Sequence, residues 1–305
     1  MKIGLVGLPN VGKSTLFNAL TKANAGAENY PFCTIEPNVG VVNVPDERID
    51  NLSKLYDTLK TVYATVEFVD IAGLVKNAGK GEGPGNQFLS NIRNVHAILQ
   101  VVRCFDDGNI THVDGSIDPV RDAETINYEL IFSDLELIDK RIATVQKAAK
   151  SGRKEEKFML ATLDKAKKRL EEGKFINLDD FDENESEYLK SQDLLTTKPI
   201  MYAANVSEDD LLEDNDYVKA LKEYVKEVNP NIEVIKVCAK IEAELSELED
   251  DEKNMFLEEL GIKESGLDQI IKEGYKLLDL ITFLTAGKQE VKGWQIKKGT
   301  KAPGA

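Results

Sequence analysis

Short apolar runs recur through the first third of the chain, at 3–6, 39–44, 66–69 and 97–102. They are brief, rich in β-branched and other apolar residues, and read as buried strands. Helical stretches alternate with them. This predicts a parallel or mostly parallel sheet with helices on both faces. A modest helix over 47–59 is the only one between the second and third runs. From 122 to 172 the pattern turns helical, with a break at Ser151-Gly152. Ile131, Leu135, Ile138, Ile142, Val145 and Ala149 alternate steps of four and three, as do Met159, Leu163, Ala166 and Leu170. Two heptad seams flanking a tight turn predict an antiparallel coiled-coil hairpin. The acidic stretch 177–191 reads as a returning loop. Strands resume at 199–203 and 232–237 around a helix over 217–228, and further helix runs to about 278. The helical segment is therefore an insertion in an α/β domain.

The expected division is a nucleotide-type α/β domain over 1–120 and 197–278, an inserted helical domain over 121–196, and a third piece over 279–305. That last piece holds strand-like runs at 281–284 and 291–296. About 25 residues cannot bury a core alone, so it reads as the start of a small domain cut short or as a strand pair docked on the body.

Composition narrows the class. Of the 305 residues, 42% are hydrophobic and 30% charged, and the formal net charge is −15. Apolar runs fall far short of a membrane span, and the first glycine turn arrives too early for a secretory leader. Three separated cysteines (Cys33, Cys104, Cys238) and two histidines form no disulfide or metal framework. A reducing cytoplasm is the expected compartment. A chain this acidic does not attract nucleic acid in bulk. Between Lys140 and Leu170, however, eleven basic residues face three acidic ones, a net +8. Such a face suits RNA phosphates, though a solvated coiled-coil surface would also explain it.

The chemistry is concentrated at phosphate-type motifs. Gly7-Leu8-Pro9-Asn10-Val11-Gly12-Lys13-Ser14 matches G-x-x-x-x-G-K-[ST], after a predicted strand and before a helix that begins near Thr15. Backbone N–H groups of such a loop wrap phosphates, and the helix N-terminus adds its dipole. Lys13 would reach the β- and γ-phosphates, and the Ser14 hydroxyl would ligate Mg²⁺. Asp70-Ile71-Ala72-Gly73 ends the next strand but one. There Asp70 can hold Mg²⁺ through water, and the Gly73 N–H can sense the γ-phosphate. Thr34, in the loop before the second strand, is placed to complete the Mg²⁺ shell as a switch. The glycines at 79, 81, 83 and 85 suit a second switch. Asn10 can coordinate K⁺ near the phosphates.

No N-K-x-D guanine-reading motif is present; Asn205-Val206-Ser207-Glu208 stands in its place. Val206 replaces the lysine that lies along the base. Glu208 is one methylene longer than the aspartate that accepts both guanine N–H groups. A site built on hydrogen bonds discriminates by ~10⁴ or more, so this change should cost most guanine preference. Adenine offers different groups, which Asn205 and nearby backbone can meet, with Cys238-Ala239-Lys240 against the base. The position after D-x-x-G, where many GTPases use glutamine to orient water, is Leu74. Hydrolysis then needs another group, and His112, in the loop 106–116, is a candidate beside Lys13. His96 reads as a strand-start packing residue without chemistry.

These segments together, with 29–38, 70–83 and 205–208, resemble the Obg-like ATPases of the YchF type over nearly the whole chain. The resemblance implies a P-loop, Ras-like α/β domain with an inserted coiled coil and the beginning of a TGS (β-grasp) domain. It implies ATP hydrolysis with Mg²⁺, ribosome association through the large subunit or its rRNA, and a role in translation or stress control. It also implies that a flexible-loop histidine, here His112, replaces the missing glutamine. No membrane or sequence-specific DNA partner is expected. Two rival readings stay open: a nucleotide-gated ribosome-binding module with negligible hydrolysis, and a GTP-selective translational GTPase.

Overall fold

The computed structural model describes all residues except 23–37, 73–83, 111, 113, 114, 150–153 and 305. Strands β1 (Lys2–Val6), β4 (Thr65–Asp70), β5 (Ala97–Arg103), β6 (Ile200–Asn205) and β7 (Val234–Val237) run parallel. Strand β2 (Val39–Asn43) pairs antiparallel with β4 at one edge, giving the order β2-β4-β1-β5-β6-β7. Strand β5 is buried at every position and β6 likewise, as central strands covered on both faces must be. Helices α1 (Lys13–Lys22), α3 (Pro84–Arg93), α7 (Asp216–Val228), α8 (Ala239–Leu245) and α10 (Gly266–Leu277) surround the sheet, with α9 (Asp250–Glu259) between the last two.

Helices α4 (Pro119–Ala149) and α5 (Lys154–Glu171) pack along the seam read from the heptads. Ile131, Ile138, Leu163, Ala166 and Leu170 are buried there, with Leu135, Ile142 and Val145 partly covered. The expected turn at Ser151-Gly152 lies outside the described residues. The returning segment differs from the loop expected over 177–191. It holds a helix, α6 (Glu183–Lys190), packed on α5. Asp182 accepts from the Glu185 N–H at 2.9 Å, and the Glu185 carboxylate accepts from the Asp182 N–H at 3.0 Å. This reciprocal cap, with Glu183 and Glu185 in the first turn facing the positive end of the helix dipole, makes the acidic segment a helix start. Asp134 on α4 anchors the return: its buried carboxylate accepts from the N–H groups of Leu195 and Thr196 and from the Thr196 hydroxyl, at 2.7–2.9 Å.

The last strands, β8 (Leu280–Ala286) and β9 (Val291–Lys297), form a hairpin docked on α2 (Glu47–Tyr56). A two-residue strand, β3 (Thr61–Val62), pairs parallel with β9 and was not legible from pattern. Gly293 permits this approach, since a Cβ there would meet the Ile49 Cδ1 atom at 2.8 Å.

On the other flank, Glu242 of α8 is buried, and its carboxylate accepts from the Gly266 N–H of α10 at 2.6 Å. Burial pushes this carboxyl from 4.5 up to about 7, with Asp268 nearby adding to the rise. The folded protein therefore holds a proton that the unfolded chain releases. Stability from this group is full below about pH 4.5 and falls as pH rises to about 7. We expect Glu242→Gln to remove that slope. Relative to the variant, the wild type should lose about 3 kcal/mol between the two limits, read from urea unfolding at a series of pH values. Parallel curves for the two proteins would contradict it.

Candidate nucleotide site

The loop between β1 and α1 adopts backbone that few residues tolerate. Gly12 has φ +91°, and Asn10 has φ +65°. Gly7 lies so near the Val101 carbonyl that a Cβ would sit 2.8 Å from it. A Cβ at Gly12 would meet the Asn205 Nδ2 atom at 2.3 Å. Both motif glycines are thus required by close packing, and Gly12 by backbone angle as well.

At the start of α1, the Lys13 ammonium bonds Asp70 Oδ1, and the Ser14 hydroxyl lies 3.5 Å from Asp70 Oδ2. The two sequence motifs, 56–57 residues apart, therefore meet in space. Lys13 is 9% exposed, so its charge is set in a partly desolvated place. Ser14 and Asp70 present hard oxygen donors on one spot, the donor type that Mg²⁺ prefers. Thr34, Gly73 and Leu74 lie outside the described residues. So do Cys33 and the glycines at 79, 81 and 83.

Asn205 ends β6, buried, beneath the loop. Its Nδ2 donates to the Val11 carbonyl at 2.8 Å, and its Oδ1 accepts from the Ala239 N–H at 3.0 Å. The side chain read from sequence as a base contact is thus mainly a strap between the phosphate loop and the β7–α8 turn. At most one amide hydrogen remains for a ligand.

Beside the strap opens a cleft of about 440 Å³. Asn10, Gly12, Thr15, Asn205 and Ala239 line it, together with Phe105, Ile110, Lys240, Ala243, Glu244 and Glu247. Three expected base-site residues do not line it. Val206 is 2% exposed and continues the sheet, its N–H donating to the Val237 carbonyl at 2.8 Å. Cys238 is buried as the residue preceding α8, and burial pushes its thiol up. Glu208 begins a short turn of 3₁₀ helix and is exposed. Phe105 and Ile110 went unread from sequence. Their signal was an arginine, Arg103, closing a fully buried, mostly apolar strand just before them.

His112, the candidate hydrolytic residue of the loop 106–116, is held away from solvent. It is 8% exposed, and its Nε2 lies 2.7 Å from Asp122 Oδ2 in the first turn of α4. Arg121 reaches the other oxygen of Asp122 at 3.0 Å and the Ser116 carbonyl at 2.6 Å. His112 does not line the cleft. His96 accepts the Lys2 N–H on its Nδ1 at 3.0 Å, a structural contact at the start of β5.

A site of this build has relatives among known proteins. A family model described as a 50S ribosome-binding GTPase matches residues 2–134. The ribosome-binding ATPase YchF of Bacillus subtilis is 56% identical over 302 residues, covering 98% of this chain and 82% of that protein. The chain belongs to the YchF family. The Escherichia coli O157:H7 YchF, also called a ribosome-binding ATPase, is 50% identical and is covered over 83% of its length. The solved Schizosaccharomyces pombe YchF superposes with a TM-score of 0.89 at 41% identity, covering 99% of this chain and 82% of that one. That structure is described as a GTPase, whereas the bacterial YchF proteins are called ATPases. Sequence identity and superposition therefore agree on fold and family, while the names given to YchF proteins differ over the nucleotide.

Removing the strap should expose its role. Asn205→Ala leaves the Val11 carbonyl and the Ala239 N–H without their partner. Each orphaned group costs about 1–3 kcal/mol. We expect a matching drop in unfolding free energy and weaker binding of any triphosphate, whatever its base. Unchanged stability would show that the strap holds nothing.

Proposed function

We propose that this YchF-family chain hydrolyses ATP to ADP and phosphate, and that the nucleotide state governs its association with the ribosome. The observation that carries the base preference is at the end of β6. The residue standing where a guanine-reading aspartate would be is Glu208, exposed and outside the cleft, while Asn205 is spent on the strap. A purine would instead lie against Phe105, Ile110 and Ala239. The names of the bacterial relatives agree with this choice.

The phosphates would lie on the backbone of 10–15, with Lys13 at the β- and γ-oxygens. In that arrangement Lys13 exchanges Asp70 for the phosphate. Ser14 and Asp70, with Thr34, would hold Mg²⁺. When bound, that ion neutralises charge on the β- and γ-phosphate oxygens. Gly73 would contact the γ-phosphate, and Asn10 can hold K⁺. Lys13 stabilises charge on the transferred group. His112 would orient the attacking water, and it must leave Asp122 to do so.

We place the ribosome contact on the helical insertion, 121–196, with the α/β portions 1–120 and 197–278 as the nucleotide domain and 279–305 as the beginning of a TGS domain. The cytoplasm is the compartment that fits. The family model's description as 50S-binding supports the large subunit or its rRNA. The basic face is less charged than its sequence suggests. Lys165 pairs with Glu185 at 2.8 Å, Lys167 with Asp139 at 2.7 Å, and Arg169 with Asp180. Lys147, Lys157 and Lys168 are exposed and make no ion pair among the described residues.

Calorimetry with non-hydrolysable ATP and GTP analogues and Mg²⁺ tests the nucleotide assignment. ATP should bind tighter by about tenfold or more, and Lys13→Ala should abolish both. Tighter GTP binding would overturn the assignment. For the ribosome, reversing Lys147, Lys157 and Lys168 to glutamate should weaken co-sedimentation. It should also flatten the slope of log affinity against log salt by about one for each phosphate no longer neutralised. Reversing Lys165 and Lys167 should change the slope less. An unchanged slope in the first variant removes the hairpin face from the interface.

A further inference from the structure

Arg103, the last residue of β5, is 1% exposed. A buried guanidinium ordinarily needs a carboxylate, and among the described residues Arg103 pairs with none. Its charge is met by three backbone carbonyls of the loop that follows. Nε donates to Phe105 at 3.1 Å, Nη1 to Ile110 at 3.0 Å, and Nη2 to Asp107 at 3.2 Å. The guanidinium carbon also sits 4.8 Å from the centre of the Phe105 ring. A planar fork spreads its fixed donors over three nitrogens and so reaches three separated carbonyls, whereas a lysine's donors all radiate from one atom.

The loop so gathered is the wall of the cleft. Phe105 and Ile110 line it, together with Ala239 and Asn205. Among the described residues, the loop's other internal bonds are the Ile110 N–H on the Asp107 carbonyl, the Asn109 N–H on the Asp107 side chain and, further on, the Gly115 N–H on the His112 carbonyl. From outside, Asn215 donates to the Cys104 carbonyl at 2.8 Å, and the Tyr217 hydroxyl donates to Asp106 at 2.7 Å. These two hold the near end of the loop, the His112 contact with Asp122 at 2.7 Å holds its far end, and none of them bonds Phe105 or Ile110. Arg103 also stands level with Asn205 across the β5–β6 ladder. The residue that straps the phosphate loop and the one that shapes the base wall thus sit side by side.

We infer that Arg103 is a positioning residue for nucleotide recognition: by drawing three loop carbonyls onto one buried charge, it presets Phe105 and Ile110 as the apolar wall against which the purine ring lies. This rests on the reading of the cleft as the nucleotide site. The charge has no role at the phosphates. Its effect is felt by a ligand with a base and not by one without.

The test compares a Mg²⁺-bound, non-hydrolysable ATP analogue with Mg²⁺-tripolyphosphate, on the full chain, by calorimetry. Arg103→Lys keeps the charge and loses the fork. It should weaken the ATP analogue by about tenfold or more, the worth of one base–aromatic contact, with tripolyphosphate within about twofold of wild type. In turnover, KM for ATP should rise by more than kcat falls. Phe105→Leu should show the same pattern. In the double variant the two effects should not add, because both act through one wall. Arg103→Gln, neutral and still a donor, replaces the lysine variant if that fails to fold. Equal weakening of both ligands, strictly additive effects, unchanged ATP binding, or unfolding of both Arg103 variants would each overturn the inference. Wild-type failure to prefer ATP over GTP analogue would instead sink the ATP assignment. The ratio of wild type to variant, measured with whichever analogue binds, would still judge Arg103.

Discussion

The carboxamide of Asn205 is the interaction on which the nucleotide site depends. A phosphate loop gains its strength from backbone N–H groups held ready, and a loop with two residues in left-handed backbone does not hold itself. Asn205 closes it from below, one end on Val11 and the other on Ala239. The strap spans the loop after β1 and the start of α8, 194 residues from Val11 and 34 from Ala239. A short amide can serve both because the order β1-β5-β6-β7 brings the carboxyl ends of these strands together. That edge is where open α/β sheets bind ligands. Gly12 completes the arrangement, since any side chain there would displace the amide.

Charge in this protein is organised by neighbours rather than by segment. The helical insertion carries a strongly basic stretch, but Asp139, Glu171, Asp180 and Glu185 lie at or beyond its ends in sequence and pair with it in space. What remains for a polyanion is a subset of lysines at definite places on the hairpin. Such exposed pairs add little stability, so their main effect is to decide which charges are available. The buried charges behave differently. Asp134 and Arg103 are each met by backbone groups, which makes each of them the organiser of a turn that has little regular structure of its own.

Much of this was legible in the sequence. The phosphate motif, Asp70, the strands of the main sheet and the heptad seams all depend on local order, and local order is what a pattern records. The meeting of Ser14 and Asp70 was implied by the Mg²⁺ role read for both, and the β1–β4 pairing delivers it. Helix α6 was missed because its acids look like loop, although the Asp182 and Glu185 spacing carries a capping signature. The wall of Phe105 and Ile110 was missed because that loop's course is set by a side chain outside it, and no period announces such a bond. Val206 and Cys238 were placed at the base by analogy of position. The structure buries both, because the chain is still completing the sheet there.

The pairing of β3 with β9 joins segments about 230 residues apart. Closing so long a loop adds only about 0.6 kcal/mol for each doubling of its length, yet it imposes an order of events. The edge of α2 and β3 cannot be covered until residue 291 has left the ribosome, after the phosphate loop, Asn205 and Ala239 have all been made. During synthesis the nucleotide site can therefore assemble ahead of the surface that the last hairpin covers. A protein of this build would expose the Ile49 face to the cell's folding machinery for most of its own translation.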